Sequence, residues 1–294
     1  MTLSLLSVLG SRPLGVAGAL ALALVAWSAA PIATRDRAVL DGFDFRKGAA
    51  VQAQLPHSLR EISDLSVTAD GRIFAVEDER GIVFEIDNRR GTVVKSFSLG
   101  APAVRGDFEG LANVDGQFFL ITSTGRLYQT REGEDGAATT YTSYDTGLGT
   151  KCEIEGLVYE PSDRSLIIAC KRPYDPALRG FVTLFRWSID RRALATPPRI
   201  SIPLADVIRD MEEKNFSASA VAREPSTGHY VAVAGPQRVI AEFTPAGAVV
   251  ATRQLHRRLH RQPEGIAFLG DSAVLISDEG GAGHATLTLY PRVR

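Results

Sequence analysis

The chain of 294 residues has only two cysteines, Cys152 and Cys170, and no excess of charge of either sign, with 33 Lys and Arg against 34 Asp and Glu. Two cysteines without a nearby histidine do not make a zinc site. A balanced charge leaves no electrostatic footprint for nucleic acid, so no nucleic-acid partner is expected. The chain also lacks a G-x-S-x-G elbow, a phosphate-binding glycine loop and an evident Ser, His and Asp set, so no nucleophile is identified. His256 and His260 have the spacing of a helical metal pair. They lack the Glu of H-E-x-x-H and follow a strand-like run, so the spacing reads as coincidence. The densest basic run, RRLHR at 257–261, reads as a solvated loop.

Helical periodicity of useful length is missing after Ala30, and the one long apolar stretch lies before it. Arg12, the apolar segment 14–27 and the small residues Ser28, Ala29 and Ala30 match a secretory signal. Left uncut, the same segment is long enough to tether the protein to a membrane. Residues 1–30 are therefore expected to be a signal peptide or anchor, 31–48 a linker and 49–294 the folded domain. That domain is expected to be exported, either periplasmic or anchored facing the periplasm. In such an oxidising compartment Cys152 and Cys170 are expected to pair, because a hairpin about the turn 161–164 brings them together. The alternative is two free buried thiols.

What the sequence does have is a repeat. Glu-Gly stands before an apolar run in DFEGLANVDGQFFL (107–120), in IEGLVYEPSDRSLII from Ile154 and in PEGIAFLGDSAVLI from Pro263. Two degenerate copies, ISDLSVTADGRIFAV from Ile62 and FSASAVAREPSTGHYVAVAG from Phe216, bring the count to five units. Each unit consists of short β-branched and aromatic runs separated by turn signals. In the first unit LSVTA, RIFAVED, GIVFEID and TVVKSFSL are four strand candidates. Four antiparallel strands recurring every roughly forty to fifty residues indicate an all-β fold, a β-propeller of four-stranded blades. Five blades are counted, and a sixth stays open if the insertion after Tyr174 hides one. The last unit is one strand short, and the alternating stretch 49–55 is placed to complete it from the N-terminal side, closing the ring. The inserted segment ADVIRDMEEKNF is polar, with a helix as one reading.

In a propeller the first strand of each blade lines the central channel. A Glu before that strand in successive blades places carboxylates around one mouth, and the adjacent Gly lets the backbones pack closely. Glu109, Glu155 and Glu264 are the expected ring, with Glu61 and Asp64 from the first blade and Asp78 and Asp278 at the ends of second strands. Like charges so close require a cation, protons or basic neighbours. Oxygen ligands without His or Cys suit calcium. The competing reading is a purely structural ring, capping turns or pairing with Arg105, Lys151 or Arg223.

These phrases, in their order and with the Ser-Ala unit before the final Glu-Gly-Ile, resemble the SdiA-regulated family, also called the YjiK family, over about 55–290. Its members are bacterial envelope β-propellers related to phytase-like and lactonase-like propellers, and the resemblance implies calcium association and phytase-like hydrolysis. Asp64 departs from the family's commonest form, which has Gly there. A phytase needs basic side chains on its phosphates. Lys171 and Arg172 are the candidates for ligand binding, against the plainer reading of an exposed pair. Two functions follow. One is a monomeric envelope module that binds calcium and a small-molecule ligand or an envelope partner protein. The other is a calcium-dependent hydrolase of phosphate esters or lactones. The first is preferred, because no histidine stands at a channel-mouth position to serve a lactonase as base.

Overall fold

The short strands anticipated from the alternating apolar runs form five sheets, each of four antiparallel strands, to one of which the two-residue strand Ala138–Thr139 adds in parallel. In a computed structural model that describes residues 38–293, blade one comprises Ile62–Val67, Ile73–Glu77, Ile82–Asp87 and Thr92–Leu99. Blade two comprises Phe108–Val114, Gln117–Thr122, Arg126–Arg131 and Tyr141–Asp145, and blade three Cys152–Glu160, Ser165–Pro173, Phe181–Ser188 and Ala193–Pro203. Blade four comprises Ala220–Arg223, Tyr230–Ala234, Val239–Phe243 and Val249–Gln254. Turn chemistry sets the hairpins. Asp115 and Gly116 both have positive φ, 51° and 77°, as a two-residue turn between Val114 and Gln117 requires.

Blade five takes three strands from the C-terminal unit, Pro263–Leu269, Ala273–Asp278 and Thr286–Pro291, and its fourth from Val51–Gln54. The pairing Val51 with Leu289 through Gln54 with Thr286 joins the two ends of the domain as the sequence predicted. The ring has five blades. The insertion after Tyr174 is absorbed by a long third-to-fourth-strand hairpin in blade three and by the connection to blade four. In that connection only the single turn Leu204–Val207 is helical, so the expected helix is little more than a turn.

Each pair of neighbouring blades shares one apolar cluster, so the core is a ring of five seams. Between blades one and two, Phe118 packs edge-on against Phe74 at 4.7 Å and Phe97 at 5.5 Å between ring centroids. Burying one such side chain contributes roughly 1.5–3 kcal/mol, so each seam stabilises both blades that share it.

The expected export signal or tether, and residues 31–37 of the expected linker, lie outside the described residues. The remainder of that stretch is not a free linker. Val39, Leu40, Phe43 and Phe45 are buried in the seam between blades four and five, and the fully buried Glu242 accepts the Val39 and Leu40 N–H groups at 3.0 Å. A run with four large apolar residues in seven gains more from burial than it loses in chain entropy. Cys152 and Cys170 form the predicted disulfide, with Cα atoms 5.8 Å apart.

Candidate functional site

The five inner strands contact one another in a closed ring around the axis. The Gly of each Glu-Gly phrase is the point of contact. A Cβ on Gly110 would lie 2.7 Å from Leu157 Cβ, one on Gly156 2.8 Å from Ala220 Cα, and one on Gly265 3.2 Å from Asp64 Cα. Each of these atoms belongs to the next blade, at its own Gly position or the residue after it, while Ile121 crowds Gly110 equally and Ser277 crowds Gly265 more closely from within their own blades. Gly156 also has φ +81°. The glycines are therefore the interlock of the ring.

Two blades break the rule, with Ala220 and Asp64 at the equivalent position. Asp64 is 1% exposed, and its side chain reaches the axis. Its Oδ1 accepts the Leu65 N–H at 2.8 Å, and its Oδ2 accepts those of Leu111 at 2.9 Å and Leu157 at 3.3 Å. One carboxyl thus joins blades one, two and three. Burial pushes its pKa well up, against the pull of the three N–H groups. Beyond Leu65, Leu111 and Leu157 the channel opens at its far end into a cavity of about 210 Å³, lined by all five inner strands. Asp64 occupies the axis rather than the mouth, and its oxygens are already engaged.

At the mouth, Glu109, Glu155 and Glu264 do come together, Glu109 and Glu264 second in their inner strands and Glu155 fourth in its own. Burial raises Glu109 and Glu155, and the charges of Glu155 on Glu109 and of Glu264 on Glu155 raise them further. Burial raises Glu264 as well, against Lys171 and hydrogen bonds from Ser219 and Gln262. Ser219 is the residue that blade four carries in place of the Glu. Lys171 stands among these acids, with its ammonium on Glu155 Oε1. Burial works against that ammonium, yet Glu155, Glu264 and Glu109 together raise its pKa. The second oxygen of Glu155 is buried without a hydrogen-bond partner.

A second acidic group lies on the blade-one side of the mouth. Asp78 is pushed up to about 6 by burial and by Glu61, Glu77, Asp107 and Glu279, and its Oδ1 is also buried without a partner. Glu61 pairs with Arg60 at 2.9 Å. Asp107 and Glu279 were missed in the sequence. They flank residues already singled out, but the direction of a side chain at a strand end depends on bulges, and the pairing shifts register between Phe108 and Gly110 and between Pro263 and Gly265.

Other expected residues are placed differently. Asp278 is buried away from the ring. Its Oδ2 is 2.7 Å from His260 Nδ1, its Oδ1 accepts the Gln262 N–H at 3.1 Å, and His260 Nε2 lies 2.7 Å from the Tyr290 hydroxyl. Lys171 faces carboxylates instead of an open pocket. Arg172 points outward, 70% exposed, pairs with Glu153 and lies over the Tyr174 ring. The two do not form a clamp, because consecutive strand residues point to opposite faces. Arg223, weighed as a partner for the ring, pairs with Glu160 at 3.1 Å.

The donor chemistry of the mouth suits a hard cation, and the unpartnered oxygens of Glu155 and Asp78 fit one. Among the described residues, no three His, Cys, Asp or Glu side chains converge as a preformed metal site. No protein-family model matches the chain, and no curated protein sequence matches it. The fold is similar to that of Myxococcus xanthus glutaminyl cyclase, at 16% identity over 83% of this chain and 97% of that chain, with a TM-score of 0.55. It is also similar to a luciferin-regenerating enzyme, at 7% identity over 83% of this chain and 97% of that chain, with a TM-score of 0.50. Identities this low speak to the fold alone.

Proposed function

We propose that the protein is an exported β-propeller binding module whose acidic channel mouth takes a cation, calcium among metals, and with it a small ligand or an envelope partner. The observation that carries this reading is the buried, unpartnered Glu155 Oε2 beside two further carboxyls that burial and mutual repulsion hold above their ordinary range. A divalent cation relieves that repulsion more fully than the single ammonium of Lys171 does. Glu109, Glu155 and Glu264 would hold it once they lose their protons and Lys171 swings away. The metal would supply a fixed positive charge for a ligand's oxygens. The disulfide supports the export reading. Kinship with SdiA-regulated envelope proteins rests on the order of the repeat phrases.

A second reading is favoured by the same raised carboxyls. A Glu109 that keeps its proton at neutral pH is a general acid in waiting, next to a carboxylate held by Lys171. Calorimetric titration of calcium into the chelator-stripped full chain tests the first reading. Saturable binding that disappears in Glu109→Gln, Glu155→Gln is expected. Absence of binding in the parent, together with hydrolysis of a phosphate-ester or lactone panel that the double variant loses, would replace it with the second.

A further inference from the structure

The connection from blade four to blade five runs along the mouth side of the ring, because it leads into the start of the inner strand at Pro263. It is held from within. Leu255 and Leu259 are buried, and His260, 0% exposed, is fixed on both ring nitrogens by Asp278 and Tyr290. What this anchoring leaves outside is Arg257, Arg258 and Arg261, all exposed. Among the described residues, none of these three guanidinium groups meets a carboxylate or donates a hydrogen bond. With Gln54, His284 and Thr286 opposite, they line a cleft of about 590 Å³ between the closing strand and the loop. The two acids on its wall are engaged. Asp278 is held by His260, and Glu279 accepts from the Gln262 side-chain amide.

The geometry points to an anion-binding cleft for a phosphate-bearing ligand, formed by Arg257, Arg258 and Arg261 on the rim beside the acidic mouth. Each guanidinium is a planar fork that matches two oxygens of a phosphate. Three unneutralised forks on one short loop suit a multiply charged oxyanion better than a lone carboxylate. Because His260 and the two leucines fix the loop, little backbone entropy is lost in presenting the donors, and only the arginine side chains remain to be ordered. This site stands independently of any cation at the mouth.

The phosphate can belong to a soluble molecule or to a lipid headgroup, and two arms separate these sources. In the first, inorganic pyrophosphate is titrated into the detergent-solubilised full chain. In the second, flotation compares the full chain on phosphatidylglycerol and on phosphatidylcholine vesicles. Each is repeated with Arg257→Gln, Arg258→Gln, Arg261→Gln, whose unfolding midpoint should match the parent's because, among the described residues, these side chains make no hydrogen bond or ion pair. The affinity is expected to fall roughly five-fold per arginine removed and to weaken with added salt. Arg258→Gln alone should show the single step. Loss in the pyrophosphate arm identifies a soluble ligand, and loss only of the preference for phosphatidylglycerol identifies a headgroup. A triple variant that behaves as the parent in both arms overturns the proposal.

Discussion

At Gly156 a methyl group would sit 2.8 Å from Ala220 Cα and 2.9 Å from the Val221 nitrogen, on a backbone with φ +81°. Both obstacles are main chain of the next blade and cannot step aside. Gly156→Ala is expected to cost about 3 kcal/mol in chemical denaturation. Gly116→Ala, with a similar φ of +77° but nothing within 4 Å, should cost only about 1 kcal/mol. Equal losses would show that backbone conformation alone matters and that the interlock does not. The Glu-Gly phrase was legible because both of its residues answer to one place, the mouth end of an inner strand. The partner of the Glu was not. Lys171 reaches Glu155 from the second strand of the same blade, sixteen residues on, and nothing in the repeat marks it. Arg172, its neighbour, faces away for no reason beyond strand alternation.

The first two strands of blade three meet at their least regular end. Pairing between them shifts register between Glu153 and Ile154 and again before Leu157, and the disulfide ties them there. A cross-link spanning 18 residues removes unfolded-state entropy corresponding to about 3 kcal/mol. Cys152→Ser, Cys170→Ser is expected to lower stability by that amount, and dithiothreitol should lower the parent to the same value. A parent indifferent to reductant would mean that native packing alone holds the bulge. This hairpin, its turn at 161–164 and its cysteine pair were all visible in the sequence, because a hairpin's register follows from its turn. The docking of residues 38–48 was not, since the carboxylate that receives Val39 and Leu40 is Glu242, two hundred residues away.

At the scale of the whole ring, the mouth collects carboxyls that stand far apart in the chain, and the consequence is a stability that depends on pH. Glu109, Glu155, Glu264 and Asp78 all have folded values raised by burial first and by neighbouring acids. For such a group stability is complete while both states are protonated. It begins to fall as pH rises through the ordinary carboxylate range, where the unfolded chain ionises, and goes on falling until the folded group also ionises. The full chain in chelator should therefore unfold at lower temperature at pH 8 than at pH 5, losing about 1.4 kcal/mol per pH unit for each proton retained. Glu109→Gln, Glu155→Gln should flatten that slope. A midpoint that rises over the same interval, with the double variant unchanged, would place these carboxyls in solvent.

The sequence by itself determined what depends on neighbours along the chain. Strand alternation, turn residues and the repeat phrase were enough for an all-β ring of five four-stranded blades, for its closure by the strand near 51–54 and for the cysteine pair. Only the tertiary structure decided how the channel is used. Asp64, expected at the mouth, instead joins three blades on the axis, Asp278 is drawn off by His260, and Lys171 becomes the internal cation of the acid ring. Each of these outcomes rests on distances of a few ångströms between residues from different strands or different blades. The convergence of the inner strands at the glycines sets those of Asp64, and local sequence carries no record of any of them.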